Sequence, residues 1–121
     1  MTLDDLKAQM LELGYRWQPY PNDPFKVGLF YKRVETKRPC TCNDKDQLTV
    51  DVHDYHGLPG VPDAVRQHQR FSLTADLTGE FPLAGDSQWA KLQVYGLSPE
   101  QFIRQHKSIE EALIRAWEAV A

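Results

Sequence analysis

Strict alternation of apolar and polar residues constrains this chain more than any other feature. In residues 47–55, Leu48, Val50 and Val52 take every second position, with Thr49, Asp51, His53 and Tyr55 between them. Residues 71–78 repeat the pattern, Phe71, Leu73, Ala75 and Leu77 alternating with Ser72, Thr74, Asp76 and Thr78. A third run sets Ala90, Leu92 and Val94 against Lys91, Gln93 and Tyr95. A period of two puts one set on each side of a strand, whereas a helix would scatter the same residues around its circumference. The sheet built from these runs has one dry face and one polar face, which is the mark of antiparallel pairing.

Two further segments join it. Residues 25–34 read as a long strand. Residues 15–20 alternate briefly, but Pro19 cannot donate to a ladder and so places them at a sheet edge, before the turn Pro21-Asn22-Asp23-Pro24. The connections are expected to be a long polar loop over 35–46, a second over 57–62 ending in one helical turn over 63–66, and a wide hairpin loop around Gly79 and Gly85-Asp86.

Helices are expected at both ends. Thr2 with Asp5 at the third helical position caps a helix whose stripe is Leu3, Leu6, Met10 and Leu13, ending at Gly14. Ser98-Pro99-Glu100-Gln101 is a second start, and Ser108-Ile109-Glu110-Glu111 reads as a third, followed by Ile109, Ala112, Leu113, Ala116, Trp117 and Val120 at helical spacing. The expected fold class is therefore α+β: an N-terminal helix, an antiparallel sheet of about four to five strands and two C-terminal helices on one sheet face, all in one domain over 1–121. Trp17, Trp89 and Trp117 read as core or core-rim residues, since large aromatics supply core area.

With 121 residues, 41% hydrophobic and 26% charged, the chain is long enough to bury a core and lies outside the composition of disorder. Its net charge of −3 argues against a general nucleic-acid binder. The N-terminus has no basic stretch followed by an apolar run, and no apolar segment is long enough to span a bilayer, so no membrane association is expected. Two closely spaced cysteines make no disulfide framework, which points to the cytoplasm.

Four constellations are candidates for function. Cys40 and Cys42 with His53 and His56 form a zinc-type donor set, but the strand over 47–55 separates the pairs by roughly 25–30 Å, and His53 and His56 point to opposite faces of a strand. Asp51, His53, Tyr55, Lys91, Gln93 and Tyr95 share the polar sheet face and are the candidate binding residues. Lys32, Arg33, Lys37, Arg38 and Lys45 form a basic stretch over 32–45, interrupted by Glu35 and Asp44, that could touch phosphates. Lys37 and Arg38 also lie near the two thiols, the only sign of an activated nucleophile. Tyr15, Trp17 and Tyr20 could form an aromatic patch at the sheet edge.

No phosphate-cradling glycine loop or nucleophile elbow occurs, no catalytic residue stands out, and no cofactor is implied. The reading is a non-catalytic cytoplasmic interaction protein that binds a protein partner, or forms a homo-oligomer, through the polar sheet face or an edge strand. The alternative is a nucleic-acid-associated accessory protein using the basic stretch; the third reading is a zinc-binding or thiol enzyme.

Overall fold

The computed structural model describes residues 1–36, 46–57, 59–60, 62–63, 70–83 and 86–119; the side chains of residues 46, 80–83 and 86–90 are outside that description. Cys40, Cys42, Lys37, Arg38 and Lys45, and all but the first residue of the helical turn expected over 63–66, lie outside the described residues.

Helix α1 (Leu3–Glu12) begins with the reciprocal cap that its sequence specifies. Thr2 Oγ1 accepts from the Asp5 amide at 3.1 Å, and Asp5 Oδ2 accepts from the Thr2 amide at 3.2 Å. The helix buries Leu6 and Met10 and gives way at Gly14 to strand β1 (Arg16–Pro19). Strands β2 (Lys26–Val34), β3 (Asp46–Asp54), β4 (Phe71–Leu83) and β5 (Asp86–Leu97) follow, and the five pair antiparallel in sequence order, β1-β2-β3-β4-β5. One 3-10 turn, Tyr55–Gly57, leaves the end of β3.

The register carries the alternation across the sheet. Trp17 stands opposite Phe30, Phe30 opposite Val50, Val50 opposite Ala75 and Ala75 opposite Val94, giving one continuous apolar row on the inner face. Leu48, Val50, Val52, Leu73 and Ala75 are fully buried there, while Leu92 and Val94 at the β5 end are only half-buried. Helix α2 (Pro99–Ala119) covers this face with Phe102, Ile109, Leu113 and Trp117. A Cβ on Gly79 would lie 2.6 Å from Trp117 Cζ2, so the indole sits directly on the bare backbone of β4. Gly79 is thus a packing site and not the strand breaker that its identity suggests.

The expectation of two C-terminal helices is overturned: one helix runs from Pro99 to Ala119. Ser98 Oγ does cap it, accepting from the Gln101 amide at 3.0 Å. Ser108 is an exposed residue in the middle of the helix. A serine-led box starts a helix only where the preceding backbone breaks, and no glycine or proline lies between Glu100 and Ala119 to break it. The apolar seam has a polar gap at His106, one turn after Phe102, where the ring stays half-buried with Nδ1 2.9 Å from the Ile103 carbonyl oxygen. That gap makes one stripe look like two.

The wide hairpin loop is also corrected. Pairing of β4 with β5 continues to Leu83 opposite Asp86, leaving a two-residue connection. The described pairing of β3 with β4 ends at Leu48 opposite Leu77, so among the described strands only β5 stands beside Pro82, where a proline is tolerated.

Candidate functional site

The polar face gathers some of the expected binding residues and separates others. Asp51 and His53 project from β3, and Lys26 stands opposite His53 on β2, with a β-bulge between Lys26 and Gly28. Lys26 Nζ lies 3.5 Å from Asp51 Oδ1 and 4.7 Å from the centre of the Tyr20 ring. Asp23 shapes the preceding turn, its Oδ1 accepting from the Phe25 and Lys26 amides at 2.9 Å each. Those two bonds, that from Lys26 foremost, hold its carboxyl below the ordinary range. Together Tyr20, Pro21, Asn22, Asp23 and Lys26 line an open depression of about 360 Å³.

The Phe25 ring packs 4.7 Å from His53 and 6.4 Å from Tyr55. Burial lowers the pKa of His53, with Asp51 opposing the shift. Tyr55 belongs to the 3-10 turn and not to the strand. Asp54 fixes this turn: it takes two hydrogen bonds from Arg70, at 3.1 and 3.3 Å, and one from the His56 amide at 2.9 Å. His56 is exposed at the turn, so it and His53 do not form a chelating pair on one strand face. Among the described residues no group of three or more His, Cys, Asp or Glu side chains is placed to hold a metal ion.

Lys91, Gln93 and Tyr95 lie two strands away from Asp51, at the far edge. Between them Asp76 on β4 stands opposite Thr49 on one side and Gln93 on the other, and it is only 3% exposed. Alternation marks Asp76 as a solvated residue, yet its place on β4 between two paired strands buries it. Thr49 Oγ1 donates to its Oδ1 at 2.6 Å and Thr78 Oγ1 at 3.2 Å. Burial still raises its pKa, and the nearby Asp51 adds to the rise. The candidate binding residues Asp51, His53, Lys91, Gln93 and Tyr95 are therefore distributed across the sheet, with Asp51 already paired to Lys26.

Of the basic stretch, Lys32 and Arg33 belong to β2. Lys32 turns toward the inner layer, its Nζ 2.7 Å from Glu110 Oε1 and 4.7 Å from the centre of the Tyr15 ring. Tyr15 Oη donates to the same Glu110 oxygen at 2.8 Å. Burial first, then the Glu110 charge, drives the Tyr15 pKa far up, so the phenol stays a donor. This triad binds β1, β2 and α2 together. The sequence marks Lys32 only as basic, since its partner is remote along the chain.

β5 differs from the interior strands because, among the described strands, only β4 pairs with it. It runs for 12 residues, about 40 Å of backbone, with one hydrogen-bonding edge unmatched by any described strand. Tyr95 on this strand is 74% exposed. An extra residue lies between Val94 and Leu97 where β4 has only Thr74 between Leu73 and Ala75, a bulge that ends regular pairing near Gly96.

No helix among the described residues is long and apolar enough to cross a membrane. No protein-family model matches the chain, and neither a curated protein nor a solved structure gives a significant match.

Proposed function

We propose that this chain, acting as one domain, is an interaction module that pairs β5 with an extended strand of a protein partner, the favoured partner being a second copy of itself. The observation that carries the reading is the 12-residue β5 edge, which among the described strands has a neighbour on one side only. Unpaired N–H and C=O groups in such an edge are a template for strand addition. Every strand pair in this sheet is antiparallel, and two β5 strands meeting across a twofold axis would continue the same pattern into a ten-stranded sheet. Leu92 and Val94 are half-buried at this end and would lose their remaining exposure beneath the added strand. The polar face supports the reading less strongly, because Asp51 and Asp76 are already engaged within the chain.

Sedimentation over a concentration series from about 1 μM to about 1 mM, which covers weak and moderate dimers, tests the proposal. The expected result is a monomer–dimer equilibrium in which the outward amides of β5 become protected from hydrogen exchange as dimer forms. A monomer across the whole series overturns it.

A further inference from the structure

At the other end of the sheet, a cleft of about 560 Å³ is lined by Gly14, Arg16, Tyr31, Lys32 and Arg33. The register explains it. Arg16 stands opposite Tyr31, and Arg33 lies two residues further along β2, so both guanidinium groups rise beside the same phenol ring on the polar face. Side chains directly opposite start about 5 Å apart and diagonal ones about 7–8 Å, within the convergence of two arginines on one anion. Gly14, two residues before β1 in the turn that ends α1, also lines the cleft. Gly14 has φ +93, and a Cβ built there would meet nothing within 4 Å, so the cleft is open where another residue would project into it.

The charges in this cleft are not equivalent. Lys32 is neutralised by Glu110 at 2.7 Å. Arg16 and Arg33 are exposed, and neither forms an ion pair among the described residues. In a chain of net charge −3, two arginines with no ion pair among the described residues, converging beside an aromatic ring, form a local site with a definite chemistry. Guanidinium forks match phosphate oxygens, and a phenol face stacks a planar ring.

We infer that the Arg16–Tyr31–Arg33 cleft binds a nucleotide unit, its phosphate held between the two arginines and its base laid against Tyr31. The volume suits one such unit, and the net charge of the chain favours a free mononucleotide over a long polyanion. The site is independent of β5 and stands or falls separately from strand pairing there.

Amide chemical-shift titration of the full chain with AMP tests this, with inorganic phosphate, adenosine and a short oligo(dT) as parallel probes. AMP is expected to shift the amides of Gly14, Tyr31 and Arg33, and to bind about 10-fold tighter than phosphate or adenosine alone. The Arg16→Gln, Arg33→Gln double variant should weaken AMP by about 10-fold or more. Arg104→Gln, an exposed site on α2, should not change it. Tighter binding of oligo(dT) than of AMP, with the same arginine dependence, identifies the nucleotide unit as part of a strand. No shift up to about 5 mM AMP, equal binding by the double variant, or phosphate binding as tightly as AMP overturns the inference. Both arginines are exposed, so the variant spectrum should keep its native dispersion and isolate the binding effect.

Discussion

The two edges of the sheet are built on opposite plans. β1 is four residues long and ends in Pro19, and its inner side is tied down by charge and aromatic contacts. Lys7 Nζ lies 4.9 Å from the centre of the Trp17 ring, Trp17 packs 4.7 Å from Phe30, and Tyr15, Lys32 and Glu110 close the triad beneath. β5 is three times as long, no ion pair among the described residues involves it, and it is covered from one face by the apolar side of α2. Short length and proline are ways a sheet keeps an edge from recruiting other strands. β1 has both. β5 has a bulge near one end and a single described lysine, and the contrast is what the proposed strand pairing rests on.

Removing the apolar anchor on the β4–β5 side should have the largest effect. Trp117→Ala empties the space over Gly79 and is expected to cost about 3–5 kcal/mol, read from denaturant unfolding. A cost as small as about 1 kcal/mol would mean that this side does not rest on the indole. Next comes the charged clamp at the other edge. Glu110→Gln leaves half-buried Lys32 without its counterion and weakens the Tyr15 bond, for an expected loss of about 2 kcal/mol. Equal losses in Tyr15→Phe and Glu110→Gln would assign the whole effect to the phenol bond and none to Lys32.

The edges themselves can then be compared directly. Gln93→Lys with Tyr95→Lys on β5 should weaken self-association by about 10-fold through like-charge repulsion, while Gln18→Lys on β1 should leave it unchanged. The smallest effect concerns pH. Burial depresses the His53 pKa below its ordinary 6.5, so the unfolded chain binds more protons than the folded one just below that pH. Stability from this group is present above pH 6.5 and declines as pH falls through the depressed value. His53→Gln should flatten that decline in a series of thermal melts. Asp76 has the opposite sign: its raised pKa makes the folded form the better proton binder, so its contribution grows on acidification and Asp76→Asn should remove it.

Local pattern made much of the fold legible and left its long-range pairings hidden. Leu48, Val50 and Val52 announce a strand with a dry face, because alternation is a property of adjacent residues. Thr2 and Asp5 announce a cap for the same reason. Ser108 misleads because a cap sequence is only permissive, and continuity is decided by the backbone on both sides. Gly79 misleads because what it does depends on Trp117 above it. At the candidate sites, Tyr95 and Gln93 could be assigned to a polar face from sequence, but β5 became an edge only through strand order. Arg16 escaped notice because its companions, Tyr31 and Arg33, come from the next strand and meet it only through register.

Helix α2 has a consequence for the order in which the molecule can form. The bond from Tyr15 to Glu110 spans 95 residues, and most of the apolar cover for the sheet comes from the segment that follows the last strand, with α1 adding Leu6 and Met10. During synthesis the five strands emerge with only α1 to shield part of their inner face, so the nascent chain carries a largely uncovered apolar layer until α2 leaves the ribosome. Completion of the fold is therefore a late event, set by non-local closure. In that interval the chain depends most on dilution and chaperones to keep that layer from other chains.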